Sequence, residues 1–160
     1  NTDLNITWMV IGLSKSDKYV KLVFDYLDLN LKRSKIEFVG KKSDKEILEI
    51  FNISDVYCQV SHIENSPNSL CEALISGIPV IASYAGGTSS LIEDQEDGLL
   101  FQSGDPYSLS GCILDVNKNY DAAISRSINA KKRANLRHNK DNITENLIHI
   151  YKNIINSHEI

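Results

Sequence analysis

The chain has 160 residues, 42% hydrophobic and 24% charged, with 17 Lys and Arg against 21 Asp and Glu. That size fits one domain with one core, and a net charge of −4 gives no long-range pull toward nucleic acid or an anionic membrane surface. The longest apolar runs, Trp8–Leu13 and Ile78–Ala82, fall far short of the roughly 20 residues that a membrane-spanning helix needs. The opening NTDLNITWMV has neither the basic region nor the long apolar region of a secretory leader. The three cysteines, Cys58, Cys71 and Cys112, are odd in number and widely spaced. They read as small buried hydrophobes in a reducing, cytoplasmic setting rather than as a disulfide framework or a zinc site.

Strand and helix patterns alternate. Residues 5–13 are β-rich and apolar, and 16–30 carry apolar residues near a helical spacing. Residues 36–40 are a short strand ending in Gly40, and 43–51 a helix with Ser43 or Asp44 as N-cap and Glu46 in its first turn. Residues 55–61 form a third strand. The helix over 66–77 has Ser66 suited to the N-cap, Pro67 to the first helical position and Gly77 to a left-handed end. Strand 78–83, a Gly86-Gly87 turn, the segment TSSLIED and strand 97–101 follow, and then helices over 107–116, 121–137 and about 142–157. The last carries Ile143, Leu147, Ile150, Tyr151, Ile154 and Ile155 on one side. Such alternation predicts an α/β fold: a Rossmann-like parallel sheet with helices on both faces. The basic run KKRANLRHNK (131–140) has no interleaved aromatics and reads as a solvated helix face, with no nucleic-acid partner.

Ligands of open parallel sheets bind beyond the carboxyl ends of the strands, which points to the loops 14–16, 40–43, 61–68, 83–88 and 102–105, of which the third, running His62 to Ser69 into the helix, is the most informative. A loop entering a helix presents free N–H groups and the positive end of a dipole, a setting for a phosphate or diphosphate. Glu64 before the helix and Glu72 within it would not bind phosphate; they suit sugar hydroxyls. Read locally, a well-capped structural helix with two solvated carboxylates explains the same residues.

The stretch HIENSPNSLCEALISGIPVIASYAGGTSSLIEDQEDGLLF (62–101) resembles the donor-binding core of GT-B glycosyltransferases, and more narrowly glycosyltransferase family 4, or group 1. The shared ordered set is Glu64, seven residues, Glu72, then Ala73-Leu74, Gly77-Ile78-Pro79-Val80, Gly86-Gly87 and Gly98-Leu99-Leu100-Phe101. The likeness extends upstream through IEFVGKKSDKEILEIF and downstream to Tyr151, over nearly the whole chain.

The resemblance implies the C-terminal half of a GT-B fold, a single donor-binding domain over 1–160. In it Glu64 takes hydroxyls of the donor sugar and Glu72 the ribose hydroxyls. The diphosphate would lie on the N–H groups between them. Pro67 has no N–H, so Asn68 and Ser69 are the expected contacts, with Ser66 joining through its hydroxyl. The Gly40-Lys41-Lys42 loop would lie beside the base through its backbone. Gly86 and Gly87 allow close backbone approach near the donor or serve as a turn, and His62 is a donor neighbour; His138, His149 and His158 are surface residues. Ser89-Ser90 replaces the more usual Pro-Glu and is assigned no role. The family retains anomeric configuration and needs no metal or other cofactor; no Asp-x-Asp motif or His/Cys cluster is present.

The activity implied is hexosyl transfer from a nucleoside-diphosphate sugar to an acceptor glycan or lipid-linked glycan in polysaccharide or lipopolysaccharide synthesis. Peripheral attachment of the parent to the inner face of the membrane fits that setting. The family's donor domain begins with a further strand and helix carrying an Arg and a Lys for the diphosphate, and residues 5–13 align with its second strand. Lys15, Lys18 and Lys21 do not match that pair. The expectation is a fragment that lacks the N-terminal acceptor domain and the first βα unit of its own domain, and is inactive by itself. Two other readings are an epimerase of the same fold and a flavodoxin-like receiver module. The receiver needs an acidic pair where LSKS stands and an Asp where SHIE stands.

Overall fold

A computed structural model describes residues 4–29 and 35–157. The expected helix end at residue 30 and the expected surface position of His158 lie outside them. The chain forms two compact units, Asn1–Ile50 and Phe51–Ile160. The strands pair in two parallel sheets, β1-β2 and β3-β4-β5, where one sheet is expected from the pattern.

In the first unit β1 (Trp8–Ile11) pairs with β2 (Ile36–Gly40), with Trp8 opposite Ile36 and Val10 opposite Phe38. The register shifts after Val10. The helix between them, α1 (Lys18–Tyr26), buries Val20 and Phe24, and the Phe24 ring meets Phe38 edge-on at 6.1 Å. Helix α2 runs Asp44–Asn52 and starts on a capping box. Ser43 N and Oγ donate to Glu46 Oε2 at 2.8 Å each, and Glu46 N returns a bond to Ser43 Oγ at 3.5 Å. Those donors, the Ser43 amide first, with Lys42 beside them, hold the exposed Glu46 carboxyl down at about 2.

In the second unit β3 (Tyr57–Gln59), β4 (Val80–Ser83) and β5 (Leu99–Phe101) run in that spatial order. Register places Cys58, Ile81 and Leu99 in one row. That face packs Ile81, Leu99 and Phe101 against α5 (Pro106–Lys118) and the start of α6 (Tyr120–Arg137). Strand alternation turns Tyr57 and Gln59 to the other face, where Tyr57 touches Ser69 of α3 (Asn68–Ser76). Helices therefore cover both faces.

Several boundaries depart from expectation. Pro67 is the N-cap of α3 rather than its first helical residue. Its ψ of 111° is extended, and helical bonding starts at its carbonyl, which accepts from Cys71 N at 3.2 Å. Gly77 ends the helix at φ +86° as expected. TSSLIED yields the single-turn α4 (Thr88–Leu91). Helix α5 starts one residue early because Asp105 caps it, accepting from Tyr107 N and Ser108 N.

The basic run is not simply solvated. Lys131 donates to the Ser76 carbonyl at 3.2 Å. Arg133 pairs with Glu93 at 2.7 Å and with buried Asp97 at 3.0 Å. Arg137 donates to the carbonyls of Leu91 and Ser90. The run thus ties α6 to α3, to α4 and to the turn that feeds β5. Helix α7 (Lys140–Ser157) buries no residue, and its apolar stripe is exposed. The cysteines are free and half-buried rather than buried, and burial pushes the Cys58 thiol up to about 12.

Candidate functional site

The loop after β3 leaves the sheet after Gln59 and enters α3 at Asn68. Its middle is held by the turn after β4. Gly86 has φ +49°, and a Cβ there would overlap the Glu64 carbonyl oxygen; a Cβ on Gly87 would overlap that of Asn65. The Gly87 amide donates to the Asn65 carbonyl at 3.1 Å. The two glycines are therefore the condition for this loop and this turn to touch.

Ser61 ties the loop to its neighbours. Its carbonyl accepts from Ser83 Oγ at 2.6 Å and from Ser103 Oγ at 3.3 Å, so the ends of β3, β4 and β5 meet on one oxygen. Its hydroxyl donates to Glu64 Oε1 at 2.7 Å. Glu64 is half-buried, whereas Glu72, in the middle of α3, is exposed. Burial raises the Tyr57 phenol above its ordinary value, and both carboxylates add to that shift, so Tyr57 lies within reach of the fields of both. The phenol donates to Ser69 Oγ at 3.1 Å and to Gln59 Oε1 at 3.3 Å; one proton shared between two acceptors accounts for both lengths.

The first amides of α3, at Asn68, Ser69 and Leu70, have no acceptor within the helix. Asn68 and Ser69 are exposed, as is Ser66 on the approach, while Pro67 is buried. His62 is exposed, with Nδ1 3.5 Å from Ser103 Oγ and its ring against Gly104. The structure thus brings together Glu64, the start of α3, Gly86, Gly87 and His62, with Glu72 on the same helix.

Gly40, Lys41 and Lys42 belong to the first unit. There Gly40 turns at φ +69°, Lys41 is exposed and Lys42 pairs with Glu46 at 3.0 Å. Tyr57 was not expected at the site, and Ser61, Ser83 and Ser103 lie in loops expected to face a ligand but were given no role of their own. Each lies at or near a strand end, which is the signal available in the sequence. Among the described residues no three of His, Cys, Asp or Glu are grouped to hold a metal ion, and no helix is long and apolar enough to cross a membrane.

The family described as "Glycosyl transferases group 1" matches residues 1–140. The chain belongs to that family. It is 31% identical over 147 residues to Protein CapJ of Staphylococcus aureus, covering 90% of this chain and 33% of CapJ. It is 24% identical over 127 residues to the D-inositol 3-phosphate glycosyltransferase of Corynebacterium urealyticum, covering 79% and 30%. The fold matches Anabaena Alr3699/HepE, crystallised with UDP, at a TM-score of 0.78 and 23% identity, over 92% of this chain and 41% of that one. The fold is that of the C-terminal half of GT-B glycosyltransferases, and the chain spans about a third of the length of these curated relatives.

Proposed function

We propose that this chain holds the donor of a retaining glycosyltransferase, which moves a sugar from a nucleoside-diphosphate sugar to an acceptor glycan. The observation that carries the reading is the loop Glu64–Asn65 clamped on Gly86-Gly87 at the mouth of α3, in a fold shared with a protein crystallised with UDP and with UDP-glucose. Glu64 would accept hydroxyl protons of the donor sugar, and Glu72, one helical turn on from Asn68 and on the same face, those of the ribose. The amides of Asn68 and Ser69 and the hydroxyl of Ser66 would take the diphosphate, whose charge grows as the sugar leaves. Fixed N–H groups at a helix start stabilise that charge without reorganising. His62 would border the donor.

No metal or other cofactor is assigned to the reaction. The acceptor we assign is a polysaccharide or lipopolysaccharide precursor, with the parent protein attached peripherally to the membrane that carries it.

The test is a donor-hydrolysis screen of the intact protein across UDP-, GDP- and ADP-sugars, with the anomer of the released sugar read by NMR. Retention is expected for the sugar that is hydrolysed. An inverted product contradicts the retaining mechanism, and no hydrolysis of any donor contradicts the reading as a whole.

A further inference from the structure

The serine node behind the site has a role of its own. Ser83 is fully buried at the end of β4, and its hydroxyl is spent on the Ser61 carbonyl. Ser103 reaches the same carbonyl from the loop after β5. With two donors on its carbonyl, the Ser61 peptide is fixed against rotation, and its side chain is aimed along the loop. That side chain donates to Oε1 of Glu64 at 2.7 Å, the length of a charge-assisted bond. Gly86 lies close against the Glu64 carbonyl, and Gly87 lies against that of Asn65 and donates to it. A loop glutamate ordinarily samples several rotamers, and ordering such a side chain costs conformational entropy. Here the cost has already been met before any ligand arrives.

We propose that Ser61 is a positioning residue for Glu64, held by Ser83 and Ser103, and that it fixes one carboxylate oxygen so that the other is presented to the donor sugar. The proposal rests on the reading of Glu64 as the sugar-contacting carboxylate. It predicts that three serines outside the loop's two-glutamate pattern determine how well the sugar is read, and leave the nucleotide alone.

The test measures, by calorimetry on the intact protein, affinity for UDP, GDP and ADP and for UDP-glucose, GDP-mannose and ADP-glucose. The quantity followed is the gain in affinity that the sugar adds to its nucleotide. Ser61→Ala should cut that gain about tenfold, as loss of a hydrogen bond to a charged group does, with the bare nucleotide binding as before. Ser61→Thr, which keeps the hydroxyl, should restore it, and Ser103→Ala should give a smaller loss of the same kind. Equal weakening of nucleotide and nucleotide-sugar in Ser61→Ala would show a merely structural role and overturn the proposal, as would no change in either. Glu64→Ala separates the two levels. If it abolishes the gain while Ser61→Ala does not, only the positioning role falls. If Glu64→Ala itself leaves the gain intact, or if no nucleotide binds, the reading of the site falls with it.

Discussion

Two strand-end loops are held in opposite ways. The loop after β2 is fixed by its own neighbours: Ser43 and Glu46 exchange bonds three residues apart, and Lys42 closes on Glu46. The loop after β3 is fixed from a distance, by Ser83 at the end of β4, by Gly86 and Gly87 beyond it and by Ser103 beyond β5. A locally capped loop survives changes elsewhere in the fold. A loop held by its neighbours inherits the rigidity of the sheet, which is what a site that must meet a ligand without rearranging requires.

Breaking the distant clamp should have the largest effect. Gly86→Ala places a methyl group on the Glu64 carbonyl at a left-handed φ, and should cost about 2–4 kcal/mol in denaturant unfolding. Gly111→Ala, where a Cβ meets nothing and the residue lies within α5, should instead stabilise by up to about 1 kcal/mol. Ser83→Ala removes one buried donor to Ser61, for about 1 kcal/mol in the same experiment. The smallest effect belongs to the local loop. Glu46 should titrate near 2 by NMR against an ordinary value of 4.5. Its folded value is depressed, so its contribution to stability is complete above the ordinary value and is lost as pH falls through the folded one. Glu46→Gln should flatten the stability profile in that acid window, lying furthest below the unaltered protein at neutral pH and meeting it as pH falls through the folded value.

The same contrast explains how far the sequence could be read. Local signals held: Gly77 as a left-handed helix end, the Ser43–Glu46 start of α2 and the order of strands and helices. The motif Glu64…Glu72 with Gly86-Gly87 drew attention to a loop and a turn that do touch in the structure, although what the glycines do there, admitting two carbonyls, needs the sheet in place. The serine node was not legible. It depends on β3-β4-β5 register, which sets Ser83 opposite Phe101 and brings residues 22 and 42 positions away onto Ser61. Arg133 was misjudged for a similar reason: a basic run looks solvated until the buried partner, Asp97, is packed against it.

The central claim is that the two glutamates divide the donor between them. Calorimetric titration of Glu64→Ala and Glu72→Ala in the intact protein, with a nucleoside diphosphate and its sugar conjugate, tests it most directly. The account predicts that Glu72→Ala weakens both ligands alike, through the lost ribose bonds, whereas Glu64→Ala weakens the conjugate alone. Unchanged affinities in both variants, or the reverse assignment, would contradict it.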